Sequence, residues 1–209
     1  MIALSVKVDF KDVQRKLDAL AETTRNRVIP MALNRTADKA RAEMTRRITA
    51  EYNIKAGEAR SQLRIRKSSR KLGVYDVELE AFGRRRGHLS RNVMLFKAKA
   101  TKPTGYKVVK AKIKGQWRTI RVPVGGGVSV EIKRGSRKVI AGAFIANKGR
   151  TVFIRTESDR LPIEGVETID VPSMFNKRTI NAAVLNKIKQ DMPVEFDRAI
   201  KAVLARVLT

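Results

Sequence analysis

Val139-Ile140-Ala141-Gly142-Ala143-Phe144-Ile145 opens the stretch whose reading decides the fold: a short apolar run with a glycine in its middle. Polar and charged residues follow from Asn147 to Arg150. Thr151-Val152-Phe153-Ile154-Arg155 comes next, rich in the β-branched and aromatic residues that suit a strand. Leu161-Pro162-Ile163 and Thr168-Ile169-Asp170-Val171-Pro172-Ser173-Met174-Phe175 close the segment, and their prolines argue against a helix through either point. The stretch reads as an extended hairpin leading into a turn, with a helix starting near Ser173. Phe144 is expected to point into the core, and Gly142 to let a packed helix approach closely.

Working outward, both ends of the chain read as helical. Asp9 is placed to cap a helix beginning at Phe10, with Phe10, Val13, Leu17 and Leu20 on its apolar face. Pro30 suits the first turn of a second helix, whose buried stripe would be Ile29, Leu33, Ala37, Ala40, Met44 and Ile48. Arg35, Lys39, Arg41, Arg46 and Arg47 occupy its other faces, as a solvated surface or as a contact face for DNA or an acidic neighbour. A shorter helix is expected from Lys55 to about Gln62, weakened by Gly57. The alternation from Tyr75 to Glu80 predicts a half-buried strand. Near the C-terminus Ile180, Val184, Leu185 and Ile188 share one face. Pro193 then either kinks that helix or starts a new one with Asp191 near its cap, and Phe196, Ile200, Val203, Leu204 and Val207 continue the stripe. The expected fold class is α+β: one domain, 1–209, with a central antiparallel sheet and N-terminal and C-terminal helices.

Composition narrows the function classes. The hydrophobic fraction of 43% supports a real core. Lys and Arg number 46 against 20 Asp and Glu, a formal charge of +26, which favours nucleic acid, an anionic surface or an acidic protein as partner. There is no cysteine, so disulfides, thiolate metal sites and cysteine nucleophiles are excluded. No apolar run reaches the roughly 18 residues of a membrane span, and the apolar N-terminus reads as a first strand rather than a signal peptide.

From Ala81 to Val130 there is no acidic residue. Val93–Phe96, Tyr106–Val109 and Trp117–Val122 are β-like pieces, separated by Gly105, Gly115 and the Gly125-Gly126-Gly127 run, which reads as a flexible turn. The stretch of about 84–127 is expected to be a long basic hairpin or loop arm inserted in the sheet, kept extended by its own repulsion. Val128–Lys133 and Val139–Ile145 are expected to rejoin the sheet across an Arg134-Gly135-Ser136 turn. Arg84, Arg85, Arg86, Arg91, Lys97, Lys99, Lys110, Lys112 and Lys114 are the candidate contacts for DNA or a partner. Trp117 and Tyr106, interleaved with lysines, have two readings: stacking on bases or, as the readier one, sheet packing. Glu157, Asp159, Glu164, Glu167 and Asp170 form a local acidic cluster. Its spacing matches no calcium loop, so it reads as salt bridging or a subunit interface rather than a metal or acid–base site. His88 has no motif around it, and Gly125–Gly127 lacks the sequel of a phosphate loop. No catalytic set, cofactor or metal is expected.

Ile140-Ala141-Gly142-Ala143-Phe144-Ile145, then Leu161-Pro162-Ile163, then Val171-Pro172, resembles the minor tail protein Z family of lambda-like bacteriophages. Met31-Ala32-Leu33-Asn34-Arg35 is similar to that family's helix start, whereas Lys97–Trp117 departs from its pattern. The resemblance implies a non-enzymatic virion protein: a minor tail or neck subunit at the head-proximal end of the tail, made in the host cytoplasm. It implies a homo-oligomeric ring, of six or twelve copies. The expected neighbours are the tail terminator, tail tube or head-tail connector, with the tape-measure protein and channel DNA as further contacts. The rival reading is a basic nucleic-acid-binding protein of non-viral role.

Overall fold

The computed structural model describes residues 2–4, 15–16, 18–69, 76–82, 92–113, 116–155 and 161–207. By its contacts the chain divides into two compact units. The first comprises Met1–Ile48, Ala56–Gly83 and Val171–Thr209, and the second Thr49–Lys55 and Arg84–Asp170.

The first unit is built on two helices of 30 residues each, α1 (Glu22–Glu51) and α4 (Arg178–Val207). At 1.5 Å per residue each is roughly 45 Å long. The last turn of α1, from Thr49, is counted with the second unit. In α1 the residues Val28, Ala32, Thr36, Ala40, Met44 and Ile48 are all buried, one strict i, i+4 row. The stripe expected from sequence is right from Ala37 onward, but Ile29 and Leu33 are only half-buried. The helix starts at Glu22 rather than at Pro30, and the row is set by Val28. Pro30 sits inside the helix, where its missing N–H costs one backbone hydrogen bond. Val28 and Ala32 pack with Phe196, Ala199 and Val203 of α4. The alanines at 32 and 199 carry no side chain beyond Cβ, so the backbones can approach there. The expected helix from Phe10 to Leu20 falls mostly outside the described residues; Leu20 packs against this cluster.

Two carboxylates bind these helices to cations. Lys39 Nζ of α1 lies 2.6 Å from Glu195 and 3.8 Å from Asp191 of α4. Glu195, with a side chain only 3% exposed, also accepts from Arg198 at 2.7 Å. The hydrogen bond from Lys39 holds the Glu195 carboxyl below its ordinary value; burial works against it, and Arg198 adds to the lowering. α4 runs unbroken through Pro193, so Asp191 is a buried helix residue rather than a cap.

Around these helices are α2 (Ala56–Ser61), α3 (Val171–Phe175) and a sheet ordered β1-β3-β2, with β1 Ile2–Leu4, β2 Leu63–Arg66 and β3 Glu78–Ala81. The central strand β3 is the end of the alternating stretch, and its Leu79 and Ala81 are buried; residues 70–75 lie outside the described set. Asn34 in α1 joins helix to loop with its side-chain amide, donating to the Ser68 carbonyl at 3.0 Å and accepting from the Ser68 N–H at 2.9 Å. Pro172 lies within α3, contrary to the expectation, because a proline in a first turn forfeits no helical bond.

The second unit holds the remaining strands: β4 (Lys99–Thr101), β5 (Gly105–Ile113), β6 (Gln116–Val124), β7 (Gly127–Lys133), β8 (Ser136–Ala141), β9 (Phe144–Ala146), β10 (Thr151–Arg155) and β11 (Ile163–Gly165). They form three antiparallel sheets, ordered β4-β7-β8, β9-β10-β11 and β5-β6. The α+β class holds, with the described β-structure distributed over four antiparallel sheets in the two units instead of one central sheet. Val93, Val128, Val130, Ala143 and Val152 form the second unit's core. At one end Asn53 N–H donates to the Ile132 carbonyl, and Arg134 N–H to that of Glu51.

Three local expectations are corrected. Val93–Phe96 is a 3-10 helix, not a strand. Asn92 caps it by accepting from Met94 N–H at 2.9 Å, and the three-residue turn brings Val93 and Phe96 to the same buried side. Gly142 has φ +72° and open space around it, so it serves a turn after β8 rather than a close helix approach. Phe144 is half-buried; its ring stacks on Phe153 at 6.1 Å and lies under the Arg155 guanidinium at 4.7 Å, while the neighbouring Ala143 is the buried residue.

Two stability predictions follow from this packing. Phe96 is 0% exposed, so Phe96→Ala should cost about 3–5 kcal/mol; half-buried Phe144→Ala should cost about 1–2 kcal/mol. Denaturant melts that rank them the other way would contradict the assignment. Glu195 and Glu43 both have folded pKa values below the ordinary 4.5. Their stabilisation is therefore complete above that value and is lost as pH falls through the folded pKa. Glu195→Gln should be less stable at neutral pH yet lose less stability on acidification than the parent, measured by denaturant melts across that acid range.

Candidate nucleic-acid and partner interface

Among the described residues no group of three or more His, Asp or Glu is placed to hold a metal ion, and no helix is long and apolar enough to cross a membrane. The candidate site is instead the basic stretch, whose described core is the β5–β6 ribbon. β5 and β6 pair over nine residues each, from Gly105↔Val124 to Ile113↔Gln116, and among the described residues no third strand joins them. The arm expected as a hairpin or a loop is therefore a hairpin in its middle part.

The root of the ribbon is fixed by backbone bonds and glycines. Thr104 N–H donates to the Val124 carbonyl at 2.9 Å, and the Thr104 hydroxyl donates to the same oxygen at 3.1 Å. Gly142 N–H donates to Gly126 at 3.2 Å, and the Thr101 hydroxyl to Gly127 at 3.1 Å. Gly125 has φ +74°, and a Cβ on Gly127 would run into the carbonyl oxygen of Ile140. The triple glycine is thus a tightly packed junction, not a slack turn.

The exposed residues of the ribbon are distinctive. Trp117 is 71% exposed, Tyr106 65% and Val108 62%. Strand alternation puts Tyr106, Val108 and Lys110 at positions of one parity, and the register sets Thr119 opposite Lys110 and Trp117 opposite Lys112. All five of these described residues, Tyr106, Val108, Lys110, Trp117 and Thr119, therefore share a face, and all are exposed. The readier reading of Trp117 and Tyr106 as sheet packing does not hold. Among the described residues no further strand flanks the two, and both rings stand exposed; composition alone does not report how many strands a sheet will have.

The other expected site residues are dispersed. Arg84, Arg85, Arg86, Arg91 and Lys114 lie outside the described residues, as does His88. Lys97 ends the 3-10 helix at φ 51°, and exposed Lys99 pairs with Ser129 in the β4–β7 ladder. Only Lys110 and Lys112 belong to the ribbon itself. Of the acidic cluster, Glu157 and Asp159 lie outside the described residues. Glu164 is exposed on β11, Glu167 is exposed at an isolated bridge to Asn92, and Asp170 is half-buried.

Arg41, Arg46 and Arg47 of α1 have partners within the chain. Buried Glu43 takes Arg46 and Arg47, each at 2.7 Å, and Arg41 meets Asp38 at 3.0 Å. Burial raises the Glu43 carboxyl, but the Arg47 and Arg46 bonds outweigh it and the net shift is downward. In the second unit Glu131 accepts from Gly135 N–H at 2.9 Å, which with Arg137 holds its carboxyl low. These carboxylates are committed to internal cations.

What the fold and this surface define is a basic α+β protein with an exposed two-stranded ribbon. The chain belongs to the prophage minor tail protein Z (GPZ) family, whose model matches residues 10–209, nearly its whole length. The resemblance carried by the short motifs is thereby borne out. Membership makes it a structural protein of the phage tail, hence of the virion. No curated protein and no solved structure gives a significant match.

The ribbon root supplies a prediction. Gly127→Ala should destabilise the protein by about 1–3 kcal/mol through overpacking against Ile140, whereas Gly57→Ala, with open space around it, should be neutral or stabilising in its helix. Thermal melts of the two variants decide the comparison.

Proposed function

We propose that this protein is a ring-forming minor tail subunit that completes the head-proximal end of the tail and lines the passage of DNA between head and tail. The family match over residues 10–209 carries the tail assignment. The charge of +26 and the acid-free run from Ala81 to Val130 support a position beside DNA, since a ring lumen lined by cations holds a polyanion by counterion release. Six or twelve copies would suit a tail or a connector. The ring's neighbours would be the tail terminator, tail tube or head-tail connector, with the tape-measure protein at the lumen. The residues from 84 to 127 act as an arm of this subunit, and Glu164 and Glu167, with the rest of the acidic cluster, face a basic surface of the next one. The non-viral nucleic-acid-binding reading gives way to family membership.

Opposite charges across an interface steer assembly and set its register. The double variant E164K/E167K should therefore keep the parental melting temperature, because exposed charges contribute little to stability, and should fail to enter tails. Cryo-electron microscopy of particles carrying the parent or the variant is the measurement. Normal incorporation of the variant would remove the acidic interface, and density for the parent anywhere but the head-proximal end would overturn the placement.

A further inference from the structure

We infer that the β5–β6 ribbon is a duplex-DNA-binding finger that enters the major groove. It does so with the face carrying Tyr106, Val108, Lys110, Trp117 and Thr119. Three observations converge on that ligand.

The first is shape. Nine residues per strand make a ribbon roughly 30 Å long, and a two-stranded antiparallel ribbon is one of the two elements that the major groove, about 12 Å wide, admits. Among the described residues β5 and β6 have no third strand beside them.

The second is charge. Between Gly105 and Val124 the chain carries Lys107, Lys110, Lys112, Lys114, Arg118 and Arg121 and no carboxylate. The same acid-free stretch of a second copy, equally basic, is disfavoured as occupant by like charge.

The third is how apolar and basic residues are interleaved. A protein partner would form a dry core over Tyr106, Val108 and Trp117, and interface cores are depleted of lysine. Here Lys110 follows Val108 by one step of alternation and sits across the ribbon from the strand that carries Trp117, within the same face. Burying it against protein would desolvate the ammonium, whereas a groove walled by phosphates neutralises it. The rings of Tyr106 and Trp117 then meet the apolar parts of a duplex, its sugars and thymine methyl groups. Lys110 and Thr119 are polar groups of this face that can meet base edges, and phosphate contacts supply the affinity.

This assignment deepens the proposed function by naming what the arm grips, and rests on it only for where the DNA is met. Fluorescence anisotropy of the full-length chain with a mixed-sequence duplex, over a salt series, tests it apart from tail placement. Each phosphate contacted adds about −0.9 to the slope of log K against log salt, so binding should weaken steeply with salt. The variant K110Q should bind several-fold more weakly at low salt, with the slope reduced by about 1. Trp117→Ala should weaken binding several-fold with the slope unchanged. The control K138Q removes the same charge at an exposed position elsewhere and should change binding far less. Both substituted lysines and Trp117 are exposed, so melting temperatures should match the parent's. Absence of duplex binding overturns the inference, as does an equal loss in K110Q and the control, which would show bulk charge alone. Ribbon variants that bind DNA normally but drop out of tails would show a protein seat instead, and would equally overturn it. Correct tail placement with no DNA binding would leave the proposed function standing without this finger.

Discussion

Scarcity of carboxylate is the constraint on which the rest of this structure depends. Forty-six cations share the chain with 20 acids, and four of the described acids each take two cations. Glu43 serves Arg46 and Arg47, Glu195 serves Lys39 and Arg198, Asp38 serves Arg41 and Lys67, and Asp191 serves Lys39 and Lys187. Each carboxylate therefore relieves two like charges that would otherwise repel across a short distance. The arrangement is concentrated on the two long helices, where three- and four-residue spacing brings each of these acids at least one cation of its own helix. Exposed pairs of this kind contribute little. Glu43 and Glu195 differ, because their carboxylates are buried and removing a partner would leave an uncompensated charge.

The same scarcity shapes the ribbon by the opposite route. With no acid from Ala81 to Val130, repulsion there has no internal relief and a compact packing of the stretch would concentrate it. An isolated two-stranded hairpin is marginal in water. This one is tied at its root, through Thr104 to Val124 and through Gly126 to Gly142, to the β4-β7-β8 sheet whose Val128 and Val130 lie in the core. Lysines along open strands have a plain role, since they discourage edge-to-edge pairing with other chains. That role accounts for Lys107 and Lys110. It does not account for a tryptophan and a tyrosine left in water beside them, which a purely protective ribbon would not carry.

Fold class, both terminal helices and the ribbon's two strands were legible in the sequence because each rests on local periodicity or on runs of β-branched residues. What was not legible depended on context beyond the local pattern. Pro30, Pro172 and Pro193 all sit inside helices. The prolines marked breaks only on propensity, which tertiary packing overrides when the proline is in a first turn or when a buried helix face is long enough to absorb one lost bond. Val93–Phe96 has the composition of a strand, and the asparagine cap that makes it a 3-10 turn is a single side chain. Phe144 was expected inside because phenylalanine usually is; the left-handed turn at Gly142 sends Ala143 inward instead and leaves Phe144 to stack on Phe153. Of the candidate site, the charge was readable from composition. The exposure of Trp117 and Tyr106 was not, because it follows from the number of strands in the ribbon's sheet.

The residues that carry the family likeness and the residues assigned to binding answer to different physical demands. Asn34 must offer a donor and an acceptor at once to the backbone of Ser68, and Gly142 must hold a positive φ. Few side chains satisfy either requirement, so such positions leave a short, readable signature. A surface that grips phosphates needs only cations and exposed rings at alternate positions on a stiff ribbon, and many sequences meet that demand equally well. The ribbon begins within Lys97–Trp117, which carries none of the short motifs quoted above although the family model spans it. A signature written in backbone geometry therefore identifies the scaffold, while the element proposed to touch DNA is recognised only when register and exposure show which of its residues stand together.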